Sequence, residues 1–346
     1  MHRIDTSTAQ VDKFGSGKNG FTGGNPQTGE LPTALDADYF DSIQEEICAV
    51  IEASSTNLDK NKRSQLYTAL KLLFLQPANA LSEINALGST SKLKAIDNIG
   101  VRGAVTGTVG QSRNAKMTVT SPSALADFLA DELVVNTALG GNQYRLKNVG
   151  ARINLTTSGV GGMDTGSTPA TGYVAVYVIY NPTNGSVALL GVDATSTLAP
   201  EVYGGSNMPS GYTASALVAV WPTASSQFVI GNMFERKIDI ATRSILSSSV
   251  INPSRVSLST TAFPLNAKFI HGGLSLSSTA ASSVSVTIWG GNGSFGGVSM
   301  ANTVVANGSY VSSYSKISVS NQTIGWSSGN TAGTPTFGIA MGSYEF

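Results

Sequence analysis

Few residues in this 346-residue chain could carry acid–base or metal chemistry. Histidine occurs only as His2 and His271, and Cys48 is the single cysteine. A histidine- or thiolate-based metal site needs three or four such ligands close together, so this inventory is too small for one. A lone cysteine also excludes a disulfide within the chain. The sequence therefore predicts no metal site and no cofactor, with stability that comes from packing.

Carboxylates are equally scarce where a glycan-cleaving site would need them. Such a site uses two carboxylates that flank the scissile bond. After residue 240 the only acid is Glu345, so a pair there would have to come from different subunits. The acids of residues 151–240 all fall in or near predicted turns, where such residues are ordinarily solvated or capping; they are Asp164, Asp193, Glu201, Glu235 and Asp239. We therefore expect no catalytic residues and a protein that binds without cleaving.

A glycine-rich segment near the amino terminus partly matches a phosphate-binding loop. The run Gly15-Ser16-Gly17-Lys18-Asn19 lacks the earlier glycine of that motif, because Asp12 stands there, and it lacks Ser or Thr after the lysine. We reject that interpretation. Residues 1–35 are instead predicted to be an extended, flexible arm that orders on a partner, with Phe14 and Phe21 as anchors.

Charge is distributed unevenly along the chain. Residues 1–150 hold 14 Lys/Arg and 15 Asp/Glu, whereas residues 151–346 hold 7 and 6. The formal net charge is zero, so no field of the whole chain recruits nucleic acid or an anionic membrane surface. The start has no apolar signal region, and no run of some 18 apolar residues occurs. We expect synthesis in a cytoplasm, no membrane insertion and no nucleic-acid partner.

Residues 172–192 form the central predicted element, a β-hairpin. Two runs rich in β-branched and aromatic residues flank Asn181-Pro182-Thr183-Asn184-Gly185, whose Pro fixes φ and whose Asn-Gly tolerates positive φ. Alternate residues of the first run are apolar on both faces. A strand of this kind needs a cover on each side, from a second sheet or a second subunit.

Helices are predicted before the hairpin. Asp38 is expected to cap a helix over residues 39–53, and a second helix is expected over residues 63–75, so that residues 36–87 form a helical attachment segment. Leu81, Ile84 and Leu87, spaced by three, predict a narrow seam between identical chains.

The remaining chain is predicted to be a linker followed by β-domains. Residues 88–150 are expected to form a linker or slim stalk with one short helix capped by Ser121 or Ser123. The first strand is expected at residues 151–156, in a β-domain of residues 151–240 whose later strand ends at Pro222. Residues 241–346 read as short alternating strands of a distal β-sandwich or jelly-roll-like domain. The predicted fold class is mainly β, antiparallel, with a helical amino-terminal region.

The first 55 residues carry a specific resemblance. The run MHRIDTSTAQVDKFGSGKNGFTGGNPQTGELPTALDADYFDSIQEEICAVIEASS resembles the amino-terminal segment of tail fibre proteins of contractile-tailed phages and related prophages. LSEINALG and KAIDNIG are similar to shaft elements of such fibres. DELVVNTALGG, GGMDTG, GYVAVYVIYNP and YGGSNMPSGYTASALVAVWPT resemble a β-domain common in their distal parts.

The resemblance implies a homotrimer in the virion tail, attached to a baseplate protein through its amino terminus and directed outward by its β-domains. The implied role is recognition of a host cell surface. Because the extended shaft of the longest members is missing, a short fibre or an adaptor that carries another receptor-binding protein stays open, as does a polysaccharide-degrading tailspike.

The tip, residues 241–346, is expected to bind an uncharged host glycan or an adjoining phage protein. Its four basic residues and one acid give too little charge for steering onto an acidic polysaccharide. Aromatic rings that could stack on sugars are the candidate receptor contacts, with packing as the alternative role of each; they are Trp289, Tyr310, Tyr314 and Trp326.

Overall fold

The computed structural model describes residues 2–74, 82–98, 107–291 and 293–346. The chain forms two compact units, Met1–Val101 and Arg102–Phe346. It is mainly β, with antiparallel sheets and a small helical amino-terminal region, which confirms the predicted fold class.

The helices belong to the amino-terminal unit. In the part of the chain that the structure describes they are α1 Ala37–Ala53, α2 Gln65–Leu73, α3 Ser82–Ala86 and α4 Ser89–Asn98. Asp36, not Asp38, is the residue that caps α1, because its carboxylate accepts the backbone N–H of Asp38 at 3.4 Å. Asp38 itself lies in the first turn, where a negative charge is favourable.

Residues 2–35 are not the extended arm that their composition predicts. Isolated antiparallel bridges join Gln10 to Gly20 and Asn25 to Glu30. The Thr8 hydroxyl accepts the backbone N–H of Ala34 at 2.6 Å, which folds the segment back on itself. Glycine and threonine thus form local turns and hydroxyl–backbone bonds in place of an extended chain.

The pair α1 and α2 has a small core and an uncovered apolar surface. Ile51 and Ala69 are buried where the helices pack. Phe40 and Ile47 lie on the apolar stripe of α1, where residues recur at spacings of three and four, and remain 49% and 41% exposed. Apolar side chains of α2 and of the residue just after it are exposed as well; they are Leu66, Leu70, Leu73 and Phe74.

The predicted seam is seen only in part. Leu81 lies outside the described residues, Ile84 is half-buried in α3, and Leu87 is 73% exposed just after it. The seam stays a prediction. The segment predicted as a linker or slim stalk from residue 88 onward begins with a helix, since α4 occupies residues 89–98.

The second unit contains the strands. Over residues 107–291 and 293–346 they are β1 Ser112–Arg113, β2 Lys116–Val119, β3 Leu125–Asn136, β4 Gln143–Asn154, β5 Thr171–Tyr180, β6 Val187–Asp193, β7 Ala214–Ala224, β8 Gln227–Phe228, β9 Gly231–Phe234, β10 Lys237–Ser248, β11 Val256–Ser259, β12 Phe269–Ser278, β13 Ser282–Trp289, β14 Val298–Val304, β15 Ser309–Ser318, β16 Thr323–Asn330 and β17 Pro335–Glu345.

These strands form two sheets in the described residues. The larger has the order β15-β12-β17-β10-β9-β2-β3-β7-β5-β6, with β1 and β4 paired to β3 and β8 paired to β7. The smaller has the order β11-β16-β13-β14, and β13 packs against β12 and β17 of the larger sheet. One continuous apolar core runs through both sheets.

The predicted short helix after Pro122 is a strand. Ala126, Phe128 and Ala130 are buried while their neighbours are exposed, which is the period of two of β3. The Ser123 hydroxyl does accept a backbone N–H, from Leu125 at 2.9 Å, but it does so at the start of a strand. The last part of the linker predicted over residues 88–150 is likewise wrong, because β4 begins at residue 143 and pairs along β3.

The central hairpin is confirmed. Every residue of β5 from Tyr173 to Ile179 is at most 3% exposed, so both faces are covered as predicted. The backbone N–H of Asn181 donates to the Ser186 carbonyl at 2.9 Å, and Gly185 adopts φ of 77° in the turn. The neighbouring strand β7 does not end at Pro222 but continues through it. Proline has no N–H to donate, and here the Pro222 carbonyl makes the backbone hydrogen bond, by accepting the N–H of Val229.

The carboxy-terminal strand joins the two predicted β-domains. β17 lies between β10 and β12, and the buried Tyr344 hydroxyl donates to the Val220 carbonyl at 2.5 Å. Arg236 donates from Nε to the Phe346 carbonyl at 2.9 Å. The boundary predicted at residue 240 falls inside β10, and the compact unit Arg102–Phe346 is not divided there.

No helix among the described residues is both long and apolar enough to cross a membrane.

We predict that Gly272→Ala destabilises the β12–β17 pair. A Cβ on Gly272 would lie 2.0 Å from the Ala340 carbonyl oxygen and 2.6 Å from the Met341 Cα, and neither backbone atom can move freely. We expect a loss of about 1–3 kcal/mol in the free energy of unfolding, measured by urea denaturation. Gly342→Ala is the matched control, because its Cβ meets nothing within 4 Å. Equal stability of the two variants would contradict the close approach.

Candidate functional site

The four aromatic residues proposed as receptor contacts divide into two buried and two accessible rings. Tyr314 is 3% exposed, and its hydroxyl donates to the Ala340 carbonyl at 2.8 Å. Trp326 is 5% exposed in β16. Both belong to the apolar core, so in this structure they cannot stack on an external sugar. Burial raises the pKa of Tyr314, which stays a neutral hydrogen-bond donor.

Trp289 and Tyr310 retain accessible surface. Trp289 is half-buried at the end of β13, with Gly297 close against its indole. Tyr310 is 38% exposed in β15. The most exposed distal aromatic, Phe295 at 82%, was missed by sequence reasoning, although the glycines at 293, 296 and 297 mark a loop that could present it.

A polar depression lies on the smaller sheet. It has a volume of about 630 Å³, and serine, threonine and asparagine side chains line it, with no charged residue among them. Its polar lining includes Ser283, Ser285, Asn302, Thr303, Asn330 and Thr331. Uncharged hydroxyls and amides are the groups that hydrogen-bond to neutral sugars.

A second candidate is a pair of depressions on either side of Arg243, which share Arg243 and Ala224 as walls. We call this pair the Arg243 groove. One side, of about 520 Å³, is largely apolar and is lined by Pro122, Phe228, Val229, Ile230 and Ile240. The other, of about 550 Å³, carries the hydroxyls of Thr171, Thr195, Thr223, Ser244, Thr260 and Thr261.

The backbone of β10 positions Arg243. Asp239 pairs with Ser343 of β17, and Arg243 pairs with Met341, so β10 has two more residues than β17 in this interval. Such a bulge bends the strand and changes the direction of its side chains. Arg243 Nη1 donates to the Tyr173 hydroxyl at 3.1 Å, and burial raises the pKa of Tyr173 to about 12.

Carboxylates around the core are held in structural pairs. Arg236 makes two hydrogen bonds to Glu201, at 2.8 and 3.0 Å. The Tyr203 hydroxyl donates to Asp164 at 2.9 Å, and burial together with this bond raises the pKa of Tyr203 to about 12. Glu201 and Asp164 therefore bind neighbouring side chains of the protein. Neither of these contacts brings two carboxylates to face each other, as glycan cleavage requires.

Glu345 belongs to a three-residue cluster on β12, β15 and β17. His271 Nε2 lies 3.0 Å from one carboxylate oxygen, and Lys316 donates to the other at 2.8 Å. Partial burial alone would raise the pKa of Glu345, but the hydrogen bonds from Lys316 and His271 outweigh burial, so the net shift of the pKa is downward. The ionised Glu345 carboxylate therefore has a structural role, as the hydrogen-bond partner of Lys316 and His271.

One serine pattern escaped the sequence analysis. Gly325-Trp326-Ser327-Ser328-Gly329 has the Gly-X-Ser-X-Gly spacing of hydrolase nucleophiles, which sit on a sharp strand-to-helix turn. Here the run lies within the extended strand β16. The central serine of the pattern, Ser327, is half-buried and pairs with Thr287 of β13 within the sheet. The pattern therefore has the spacing of a nucleophile without its geometry.

At the amino terminus, His2, Asp5 and Asp36 place potential ligand atoms within 4.8 Å of one another. His2 Nε2 lies 3.8 Å from Asp36, and Asp36 also caps α1. His2 and Asp5 are exposed to solvent. An ion pair and a helix cap account for this arrangement, and we assign it no metal.

The two proposed attachment residues differ in their surroundings. Phe14 is 64% exposed in a turn, whereas the edge of the Phe21 ring contacts Tyr39 of α1 with centroids 5.2 Å apart. Phe14 is therefore the one whose ring is largely available to a partner.

Comparison with known proteins identifies a relative that is similar over part of the chain. No protein-family model matches the chain. The uncharacterised protein StfP of Escherichia coli (strain K12) is 54% identical over 101 residues. The match covers 29% of this chain and 47% of StfP, so it spans about half the length of that relative.

The similar solved structures are distant. A Bacillus thuringiensis Cry1Da tryptic core variant matches 70% of this chain and 53% of its own, with 9% identity and a TM-score of 0.18. The infectious bursal disease virus Gx strain structure matches 69% of this chain and 68% of its own, with 12% identity and a TM-score of 0.17. Scores this low carry no argument about fold or function.

We predict that Glu345→Gln removes a stabilisation that depends on pH. Because the pKa of Glu345 is lowered by folding, its contribution is complete above its ordinary value of about 4.5 and is lost as pH falls through the folded value. The expected loss at pH 7 is about 1 kcal/mol or less, since Lys316 is half-exposed and solvent screens the pair. Urea denaturation at several pH values measures it.

The control is Glu132→Gln, because Glu132 is 50% exposed and lies 3.6 Å from Arg145. This variant should change stability less at every pH. A constant difference between the wild type and Glu345→Gln down to strongly acidic pH would contradict the assignment.

Proposed function

We propose that the protein is a tail fibre of a contractile-tailed phage or related prophage. In this proposal the protein is a homotrimer in the virion tail. Its amino-terminal unit attaches to a baseplate protein, and its β-unit contributes to recognition of the host surface. The resemblance of residues 1–55 to the attachment segments of such fibres supports the proposal.

The observation that carries the proposal is the contrast between the two units. The amino-terminal unit buries few apolar side chains and leaves Phe14, Phe40 and Ile47 substantially exposed. The β-unit, in contrast, has an extensive core of its own. Apolar surface of this kind marks a place where other chains bind, so the amino-terminal unit is suited to assembly and attachment.

The β-unit is suited to contact with a polar surface. It has few charges, its acids are largely engaged in internal contacts, and hydroxyl-lined depressions open on its surface. We assign it binding without catalysis. Weak sites are sufficient for this role, because three linked copies gain avidity of order 10²–10⁴.

We predict that the wild-type protein has three times the chain mass of 35.6 kDa by light scattering, and that Ile47→Asp dissociates it. The apolar stripe of α1 would be covered by the neighbouring copies, and a buried unpaired carboxylate is strongly unfavourable there. Ala49→Asp, on the opposite and exposed face of the same helix, is the control and should stay trimeric. A wild-type mass of one chain would refute the trimer, and a trimeric Ile47→Asp would refute the helical contact.

We predict that Phe14→Ser leaves stability and oligomeric state unchanged but reduces the number of copies bound per phage particle by about tenfold or more, as expected for an aromatic hot spot. Immunoblotting of purified particles measures the copies, and adsorption to host cells should fall in parallel. Val305→Ser, which alters an exposed side chain of the β-unit, is the control for attachment.

Normal incorporation of Phe14→Ser would contradict the role of Phe14. Normal adsorption by particles that lack the protein would contradict the proposed function itself.

A further inference from the structure

We propose that the Arg243 groove binds a sugar that carries a carboxylate, such as a hexuronic or sialic acid unit of a surface saccharide. This inference rests on the proposed function and names the class of receptor for one site. It departs from the expectation of a purely neutral glycan, because it depends on a single positioned cation and not on the overall charge of the tip.

Arg243 has hydrogen-bonding capacity left over. Nη1 donates to the Tyr173 hydroxyl at 3.1 Å and to the Ala262 carbonyl at 3.4 Å. Among the described residues, Nε and Nη2 have no protein acceptor in hydrogen-bond contact, and no carboxylate lies within 4.0 Å of the guanidinium. The remaining Nε–Nη2 edge has the fork geometry that binds a carboxylate through two parallel hydrogen bonds.

The position of Arg243 strengthens such a contact. The side chain is half-buried, and its guanidinium lies 6.0 Å from the centre of the Tyr173 ring. A partly buried cation that lacks a counter-ion gains more from an anionic ligand than a fully solvated one, because less water has to be displaced and the local dielectric is lower. Tyr173 fixes one edge of the guanidinium and leaves the other edge free.

The walls of the groove fit a sugar ring. On one side lie the hydroxyls of Thr171 and Ser244, which make no hydrogen bond to another described residue, and sugar hydroxyls could pair with them. On the other side Ile230, 51% exposed, and Ile240 offer an apolar surface to the C–H face of a ring. Each side, at about 520 and 550 Å³, falls within the size range of small-molecule sites.

The test uses saturation-transfer NMR on the full-length protein. The probes are D-glucuronic acid, D-galacturonic acid and N-acetylneuraminic acid, with D-glucuronamide and D-galactose as uncharged counterparts. We expect at least one acid to bind and its uncharged counterpart to bind about tenfold more weakly, since a charge-assisted pair contributes a factor of this order. Arg243→Gln should lose the same factor.

Arg113→Gln is the matched control, because it removes one positive charge from an exposed position elsewhere in the same unit. It should bind the acid normally. The inference is overturned if none of the acids binds, if acids and neutral sugars bind alike, or if Arg243→Gln binds as the wild type does.

Access to the groove in the assembled protein is checked by maleimide labelling of Thr242→Cys in a Cys48→Ser background. Thr242 is exposed in the single chain. Rapid labelling of the native oligomer supports an open groove, and protection from labelling would mean that another copy covers it, which overturns the inference.

Cell binding separates this inference from the proposed function. If Arg243→Gln loses the acidic sugar but the wild-type protein does not bind host cells, the groove stands and host recognition fails. If Arg243→Gln binds cells as the wild type does, host recognition stands and the groove is not the receptor site.

Discussion

The strand β5 imposes the constraint on which the second unit depends, because its residues from Tyr173 to Ile179 are buried on both faces. The strands β6 and β7 satisfy its backbone. Two tyrosines of β5 hydrogen-bond to the segments that cover one of its faces. The Tyr173 hydroxyl donates to the Thr261 carbonyl at 2.9 Å, and the Tyr177 hydroxyl donates to the Pro200 carbonyl at 2.7 Å. A buried phenol must have such a partner. Tyr173 and the Thr261 segment that covers it also line the Arg243 groove, so the covering of β5 determines part of the groove wall.

The second unit has few charged residues for its size, and several of them have defined partners. Glu201 is paired with Arg236, 35 residues further along the chain, and Glu345 on β17 is paired with Lys316 on β15. Arg255 donates to the carbonyls of Gly290 and Gly291. Among the described residues, Arg243 donates hydrogen bonds only to the Tyr173 hydroxyl and the Ala262 carbonyl. Unlike Arg236, it has no carboxylate partner among these residues and keeps N–H donors for a ligand. The rest of the surface depends on hydroxyls and backbone for its solubility.

Patterns that are local in sequence were predictable, and long-range ones were not. Alternation and turn residues predicted the β5–β6 hairpin and most distal strands correctly, because period two and an Asn-Gly turn are readable within ten residues. The start of β3 reads as a short helix because Ser121 or Ser123 could cap it and because Leu125, Phe128 and Leu129 have helical spacing, but pairing with β4 makes it a strand. The Arg243 groove depends on a bulge between β10 and β17, and no local pattern encodes a register. The burial of two of the four aromatic candidates, Tyr314 and Trp326, has the same reason, since whether a ring reaches the surface depends on which sheet covers it.

The position of β17 has a consequence for biosynthesis. The strand β17 lies between β10 and β12 but follows both of them in sequence, so each of these strands keeps an open edge until translation has passed residue 345. Open edges of this kind pair readily with other chains, and chains synthesised on one messenger are close to one another. A product of premature termination would carry two unprotected edges and would be removed by aggregation or proteolysis. Completion of the sheet can thus act as a check that only chains containing β17 pass.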